Sequence, residues 1–238
     1  TIALSGSSAD VAAALAGTFG AAYTGNATTN DSHSLSELLA INNATSGLIT
    51  LNNVGVALSG STADVKAALA GLFAAGYTGD ITLTDSNSTT ITATDITTIA
   101  GKTAGTLTVS NNISLNGTSA EIAAAVAVID TVSGSPAAIL SDAHTLAELK
   151  AINNAIGGTI TLHDYTVALS GSTSDIKAAL AGTFASTYSG NVTLSDANTT
   201  DIDATDITII EGDTIGTITV SNAIDINGTA AEVAAAVA

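Results

Sequence analysis

The chain has 238 residues, of which 46% are hydrophobic but only 3% aromatic, and it contains no Cys, Met or Trp. Four basic and 21 acidic residues give it a net charge of −17. This composition excludes a disulfide framework and a thiolate zinc site, and it argues against nucleic acid as a partner, because phosphate binding needs many cations. No apolar run reaches the length of about 18 residues that a membrane span needs, so we expect no membrane insertion.

Signals for a helix start recur at nearly regular intervals along the chain. In each, a Ser, Thr or Asp is followed three residues later by Asp or Glu, and an apolar run comes next. The cap oxygen accepts from a free N–H of the first turn, and the acid favours the positive helix end. The signals lie at Ser7/Asp10, Ser34/Glu37, Ser61/Asp64, Thr92/Asp95, Thr118/Glu121, Thr145/Glu148, Ser172/Asp175, Asp203/Asp206 and Thr229/Glu232.

A strand is predicted after most of these helices, beyond a turn that contains glycine. Sequences such as DITLTD (80–85) and GTLTVS (105–110) place Ile, Leu and Val on one face and Thr or Ser on the other. This alternation is typical of a half-buried strand. A second short strand, such as VALSG (56–60), is predicted just before several helix starts.

The whole pattern occurs twice in the chain, and a third copy begins near its end. Leu58–Phe73, LSGSTADVKAALAGLF, returns as Leu169–Phe184, LSGSTSDIKAALAGTF, and Ser32–Leu51 aligns without a gap on Ala143–Leu162. We therefore predict one continuous domain over 1–238, with repeats 1–111 and 112–222 and a partial repeat 223–238, uncapped at both ends. Since the chain has neither an initiator Met nor a signal peptide, we interpret it as an excerpt of a longer sequence.

These elements predict an α/β repeat solenoid built of coils of about 27 residues. Each coil has a short helix and one or two parallel strands, and the strands of successive coils share one core. Strands stack about 4.8 Å apart whereas helices prefer about 8–10 Å. Because these spacings differ, we expect a curved or superhelical stack with the strands on its inner side.

Four aspartates follow strands at equivalent places: Asp31, Asp85, Asp142 and Asp196. Asp and Asn side chains commonly bond to nearby backbone in turns, so a structural role is one interpretation, in which stacked copies form a row. The alternative is a calcium site, because carboxylate oxygens are the ligands that calcium prefers. No other cofactor is predicted.

Three histidines are present, and two of them, His33 and His144, occupy equivalent positions next to a helix start. We expect them to be surface or turn residues, with metal binding as the alternative. Tyr23, Tyr77 and Tyr188 recur before a strand and are expected to fill the corner between helix and strand. Because the candidate catalytic residues are duplicated along the chain, we predict neither an enzyme nor a small-molecule substrate.

Thr-x-Thr strands, at 106–108, 159–161 and 217–219, would present ranks of hydroxyl and methyl groups once they are stacked. In this respect the strand face resembles the surface of β-solenoid ice-binding proteins. A plain solvated face is the alternative, since Thr is favoured on exposed strand faces. The ranks are interrupted where the sequence reads NATTN or AAILS.

A further resemblance rests on two long segments, LNGTSAEIAAAVAVIDTVSGSPAAILSDAHTLAELKAINNA and TDIDATDITIIEGDTIGTITVSN. They resemble the tandem arrays of giant extracellular or cell-surface proteins of marine cyanobacteria and other aquatic bacteria. The resemblance implies a secreted structural protein, namely a fibre, spacer or surface-array element whose partners are copies of itself or further repeats. An adhesin or ice-binding module that uses the Thr-rich strand face is the alternative function.

Overall fold

The structure is a computed structural model that describes residues 2–238. Its nine helices within those residues are α1 (Ser8–Leu15), α2 (Leu35–Ala44), α3 (Thr62–Ala68), α4 (Ala93–Ala100), α5 (Ser119–Ala127), α6 (Leu146–Ala155), α7 (Thr173–Leu180), α8 (Ala204–Asp213) and α9 (Ala230–Ala236). The strands are β1 (Leu4–Gly6), β2 (Ala27–Thr29), β3 (Ile49–Thr50), β4 (Leu58–Gly60), β5 (Ile81–Leu83), β6 (Thr90–Thr92), β7 (Leu107–Val109), β8 (Ser114–Gly117), β9 (Thr131–Val132), β10 (Ala137–Leu140), β11 (Ile160–Thr161), β12 (Leu169–Gly171), β13 (Val192–Leu194), β14 (Asp201–Asp203), β15 (Ile218–Val220) and β16 (Asp225–Asn227). The predicted α/β class is confirmed.

All nine predicted starts immediately precede a helix of the described residues. At seven of them the cap side chain accepts a hydrogen bond from the backbone N–H three residues on, as at Ser34, where Glu37 also bonds back to the cap N–H. The cap side chains of Thr92 and Asp203 make no such bond. Both residues end a strand and enter the helix directly, so the prediction gave the position of these two starts but not their chemistry.

The strand pairs described here are parallel, and partner residues lie 22 to 26 positions apart in the sequence. One helix separates each strand from the strand it pairs with, as parallel pairing requires a crossover connection. For example, Leu58 in β4 faces Ile81 in β5, which in turn faces Leu107 in β7.

The chain divides into two compact units. The first comprises the residues up to Ile113 together with Val128–Gly134, and it contains the sheets β1-β2-β3 and β4-β5-β7-β9. The second comprises Ser114–Ala127 and Ser135–Ala238, and it contains β8-β10-β11, β12-β13-β15 and β14-β16. Within each unit, every helix contacts the next helix along the chain.

The core of each unit consists of aliphatic side chains from one face of the strands and from the helices. In β5, Ile81 and Leu83 are buried whereas Thr82 between them is half-exposed. The equivalent strand β13 repeats this pattern. The predicted alternation is therefore confirmed, and it places the hydroxyl-bearing side chains on the face away from the core.

Two corners of the backbone require glycine because another segment passes too close for a side chain. A Cβ atom on Gly79 would overlap the Val56 carbonyl oxygen. The equivalent atom on Gly190 would overlap the Val167 carbonyl oxygen. The Gly79 corner is also held by a hydrogen bond, which Thr103 Oγ1 donates to the Gly79 carbonyl oxygen at 2.7 Å.

Candidate functional site

The four candidate calcium ligands each lie at the start of a different helix. Their carboxylates accept backbone N–H bonds from a helix residue 23 positions earlier in the sequence. The bonds are Ser8 N to Asp31 Oδ1 at 2.7 Å, Thr62 N to Asp85 Oδ2 at 3.0 Å, Ser119 N to Asp142 Oδ1 at 2.7 Å and Thr173 N to Asp196 Oδ2 at 2.9 Å. Because the first N–H groups of a helix lack partners within it, each aspartate stabilises α1, α3, α5 or α7 from the following segment.

These bonds differ from the local turn bonds that the sequence suggested, since they run between segments rather than within one turn. At Asp85 the carboxylate also accepts from Thr62 Oγ1 at 2.6 Å, so both of its oxygens take part. The carbonyl group of Asp85 accepts from Asn111 Nδ2 at 2.7 Å, and Asp196 and Asn222 repeat this contact. Each of these two contacts joins the turns of two successive segments, whereas a continuous row of the four aspartates stays a prediction.

Within the part of the chain that the structure describes, no group of three or more His, Asp or Glu residues is placed to hold a metal ion. The four aspartates could offer calcium only those lone pairs that the helix N–H groups leave free. Calcium binding at Asp31, Asp85, Asp142 and Asp196 therefore stays a prediction that needs a titration.

Glu37 links two successive helix starts in the first unit. Its Oε2 atom accepts from Ser34 N at 2.8 Å and from Ser8 Oγ at 3.0 Å. The hydrogen bonds from Ser34, first from its backbone and then from its side chain, hold the pKa of Glu37 below its usual value. Glu148 makes the equivalent contacts with Thr145 and Ser119 in the second unit.

His33 and His144 were predicted to be surface or turn residues, and a surface position is wrong. His33 and His144 are each only 3% exposed. His33 Nε2 lies 3.0 Å from Tyr77 Oη, and His144 Nε2 lies 3.1 Å from Tyr188 Oη. The sequence signal that could have shown these pairs is that both members of the first pair return together in the second repeat.

The hydrogen-bond geometry fixes which nitrogen carries the proton. Tyr77 Oη donates to the Val56 carbonyl oxygen at 2.5 Å, so it accepts from His33 Nε2–H. The Nδ1 atom of His33 is buried and has no hydrogen-bond partner. Burial lowers the pKa of His33 despite the nearby charges of Glu37 and Asp31.

The second unit repeats this arrangement around His144. Tyr188 Oη donates to the Val167 carbonyl oxygen at 2.6 Å, and His144 Nδ1 is buried without a partner. Burial lowers the pKa of His144, although Asp164, Glu148 and Asp142 oppose the shift. Burial also raises the pKa of Tyr77 to about 12 and raises that of Tyr188. Both pairs are thus neutral near pH 7, and Nε2 and the hydroxyl group of each pair bond within the fold.

The predicted role of the tyrosines at corners is confirmed for Tyr77 and Tyr188. Their rings are 3% and 1% exposed, and each precedes the corner at Gly79 or Gly190. Tyr23 is half-buried, and its hydroxyl group donates to the Ile2 carbonyl oxygen.

Hydroxyl side chains of neighbouring strands stand in register. One row joins Ser59, Thr82, Thr108 and Thr131 across β4, β5, β7 and β9, and a second joins Ser170, Thr193 and Thr219 across β12, β13 and β15. Parallel strands place such neighbours about 4.8 Å apart. In a separate sheet Thr161 of β11 faces Ile139, so the hydroxyl pairing is interrupted within the AAILS segment, as predicted. The predicted interruption at NATTN is wrong, because Thr28 of β2 faces Ser5 and Thr50.

Among the described residues, no helix combines the length and apolarity that crossing a bilayer requires. Comparison with known proteins finds no matching family model, and no curated protein or solved structure that is significantly similar to the chain.

Proposed function

We propose that the chain is an α/β solenoid segment and that it acts outside the cell as a structural element: a fibre, a spacer or part of a surface array. The observation that carries this proposal is the regular pairing of each strand with the strand one helix further along the chain. In β4, β5 and β7, three successive segments share one sheet in this way. Parallel pairing of this kind buries apolar surface that a single coil could not bury alone.

The contacts between segments support a mechanical role. Asp85 and its three equivalents each bond one segment to the helix start of the segment before it, and Glu37 adds a second bond to Ser8 beside that of Asp31. The His33–Tyr77 pair spans 44 residues and reaches the Val56 backbone. These polar side chains hold one segment against another, and we therefore propose a structural rather than a catalytic role for them.

The proposed location is extracellular or at the cell surface, and the proposed partners are copies of the chain or further repeats. The net charge of −17 supports this location, because salt screens repulsion between acidic surfaces in a saline exterior. The resemblance of the repeats to surface-protein arrays supports it as well.

The experiment for the structural proposal is small-angle scattering of the purified chain together with electron microscopy of the material from which it comes. We expect an elongated, curved particle and, in the source material, filaments or a surface layer. A compact two-domain globule in solution would contradict the solenoid.

A second candidate function, an adhesin or ice-binding module, is favoured by the row Ser59–Thr82–Thr108–Thr131. Four side chains in register at strand spacing give a regular array of hydroxyl groups. The measurement is thermal hysteresis at micromolar protein, with Thr108→Lys as the disruptive variant and Thr98→Lys, on an exposed helix position, as its control. Hysteresis that only Thr108→Lys abolishes would favour ice binding, and its absence in the unaltered chain would remove that function.

A further inference from the structure

Two strands of the second unit lie at sheet edges with apolar side chains exposed. β15 is the last strand of β12-β13-β15, and β16 is the last of β14-β16. Val220 in β15 is 42% exposed. A cavity of about 420 Å³ opens beside these strands and is lined by residues that include Ile207, Ile218, Ile226 and Val237.

The equivalent of β15 in the first unit shows what covers such an edge. β7 occupies in the first repeat the position that β15 occupies in the second, and its outer side is paired with β9. Asp130 N donates to the Leu107 carbonyl oxygen at 2.9 Å, and Leu107 N donates to Asp130 Oδ2 at 2.8 Å. As a result Val109 is only 1% exposed, compared with 42% for its equivalent Val220.

The equivalent of β16 is β8, and its outer side is covered as well. β8 pairs with β10 in the second unit, with Leu115 facing Ala138 and Asn116 facing Ile139. Leu115 is fully buried, whereas its equivalent Ile226 is only half-buried. β9 and β10 both belong to the short segment Val128–Leu140, so one stretch of chain provides the covering strand for both positions.

We propose that β15 and β16 form a docking edge for a further repeat segment with the sequence pattern of Val128–Leu140. This inference rests on the proposed function, because it names the surface through which the array would continue. In the docked segment, the aspartate equivalent to Asp130 donates its N–H to the Ile218 carbonyl oxygen and accepts the Ile218 N–H. The next two residues, Thr and Val, then face Thr219 and Val220, in the register of β7 and β9.

The backbone of Val220 offers a selective way to block this edge. The carbonyl group of Val109 points toward the β9 side, where it accepts from Ser133 N at 2.9 Å. The N–H and C=O groups of one strand residue point to the same side, so those of Val220 face the open edge. The hydrogen bonds to β13 use Thr217 and Ser221 instead. Proline at position 220 therefore removes an outward donor and leaves the bonds to β13 in place.

The test is a binding titration of a fluorescein-labelled Val128–Leu140 peptide with the full chain, in which fluorescence anisotropy measures the bound fraction. We expect saturable binding that Val220→Pro weakens about tenfold or more, since one lost hydrogen bond of about 1.4 kcal/mol changes Kd tenfold. Val220→Ala keeps the N–H group and should weaken binding less than Val220→Pro does. Thermal unfolding of both variants checks that the fold is retained.

A peptide variant tests the same contact without altering the protein. Asp130→Asn in the peptide removes the charged acceptor for the Ile218 N–H and should weaken binding about tenfold, whereas a scrambled peptide should not bind. Failure of the unaltered peptide to bind at about 1 mM, or equal binding of the unaltered and Asp130→Asn peptides, would overturn the docking edge. Elongated particles in scattering would still support the solenoid in that case, so the two proposals fail separately.

Discussion

Removing the hydroxyl group of Tyr77 should destabilise the first unit strongly, although only one oxygen atom is lost. Tyr77 Oη accepts from His33 Nε2 and donates to the Val56 carbonyl oxygen, and both rings are 3% exposed. In Tyr77→Phe the imidazole loses its one hydrogen bond, because its Nδ1 atom has no partner already. The Val56 carbonyl oxygen loses the hydroxyl donor at the same time.

The size of the effect follows from the two groups that lose a partner, the buried His33 Nε2 and the partly buried Val56 carbonyl oxygen. Each buried polar group without a partner costs about 1–3 kcal/mol, so we expect Tyr77→Phe to lower the free energy of unfolding by about 3 kcal/mol. Tyr188→Phe should have a similar effect in the second unit, because Tyr188 makes the same two bonds. Tyr23→Phe is the matched control, since that tyrosine is only half-buried and should cost less than about 1 kcal/mol.

The assay is urea unfolding monitored by circular dichroism, at pH 7.5 and constant ionic strength. A double-mutant cycle with His33→Leu isolates the interaction between the two side chains, and we expect a coupling energy of about 1 kcal/mol. If Tyr77→Phe costs no more than Tyr23→Phe, or if the cycle shows no coupling, then the buried His–Tyr pair does not hold these segments together.

Three further predictions concern acidity, backbone packing and calcium. Because burial lowers the pKa of His33 and His144, the unfolded chain binds more protons below about pH 6.5, so stability should fall as the pH decreases from 6.5 to 5. Replacing both histidines by Asn should make the urea midpoint depend less on pH over that range. An unchanged pH dependence would contradict the assignment of this effect to His33 and His144. Gly79→Ala should cost about 3 kcal/mol in urea unfolding because its Cβ meets a carbonyl oxygen, whereas Gly76→Ala, which meets nothing within 4 Å, should cost nothing. Asp85→Asn should cost about 1–2 kcal/mol through its lost bonds to the α3 start, and if Asp85 binds calcium, millimolar Ca²⁺ should raise the Tm of the unaltered chain more than that of the variant.

The sequence predicted those features that depend on neighbouring residues. A helix start is decided by bonds between positions three apart, so Ser34 and Glu37 could be recognised from their spacing alone. The faces of β5 followed from strict alternation of Ile, Thr and Leu for the same reason. At Thr92 the position was right but the cap bond is missing, because the strand continues to the first helical residue.

Features that depend on contact between distant segments were not predictable in the same way. Its place beside a helix start predicts a surface or turn position for His33, yet its partner Tyr77 is 44 residues away. Asp85 was assigned to a local turn, but it bonds to a helix start 23 residues earlier. A single sequence gives the period of such contacts through its repeats, but it does not say which atoms meet when two segments pack.

Charge provides a last argument about how copies of the chain would associate. Three of the four lysines form exposed ion pairs with an acid of the next helix: Lys66 with Asp95, Lys150 with Asp175 and Lys177 with Asp206. Exposed pairs of this kind contribute at most about 1 kcal/mol each, and they leave a net charge of −17. Repulsion therefore opposes side-by-side contact between copies, most strongly at low salt. The edge at β15 and β16 is different, because Ile218, Val220 and Ile226 offer apolar surface there and the backbone groups of Val220 point outward. We therefore expect a further repeat segment to pair at that edge, where the acidic surfaces are not opposed.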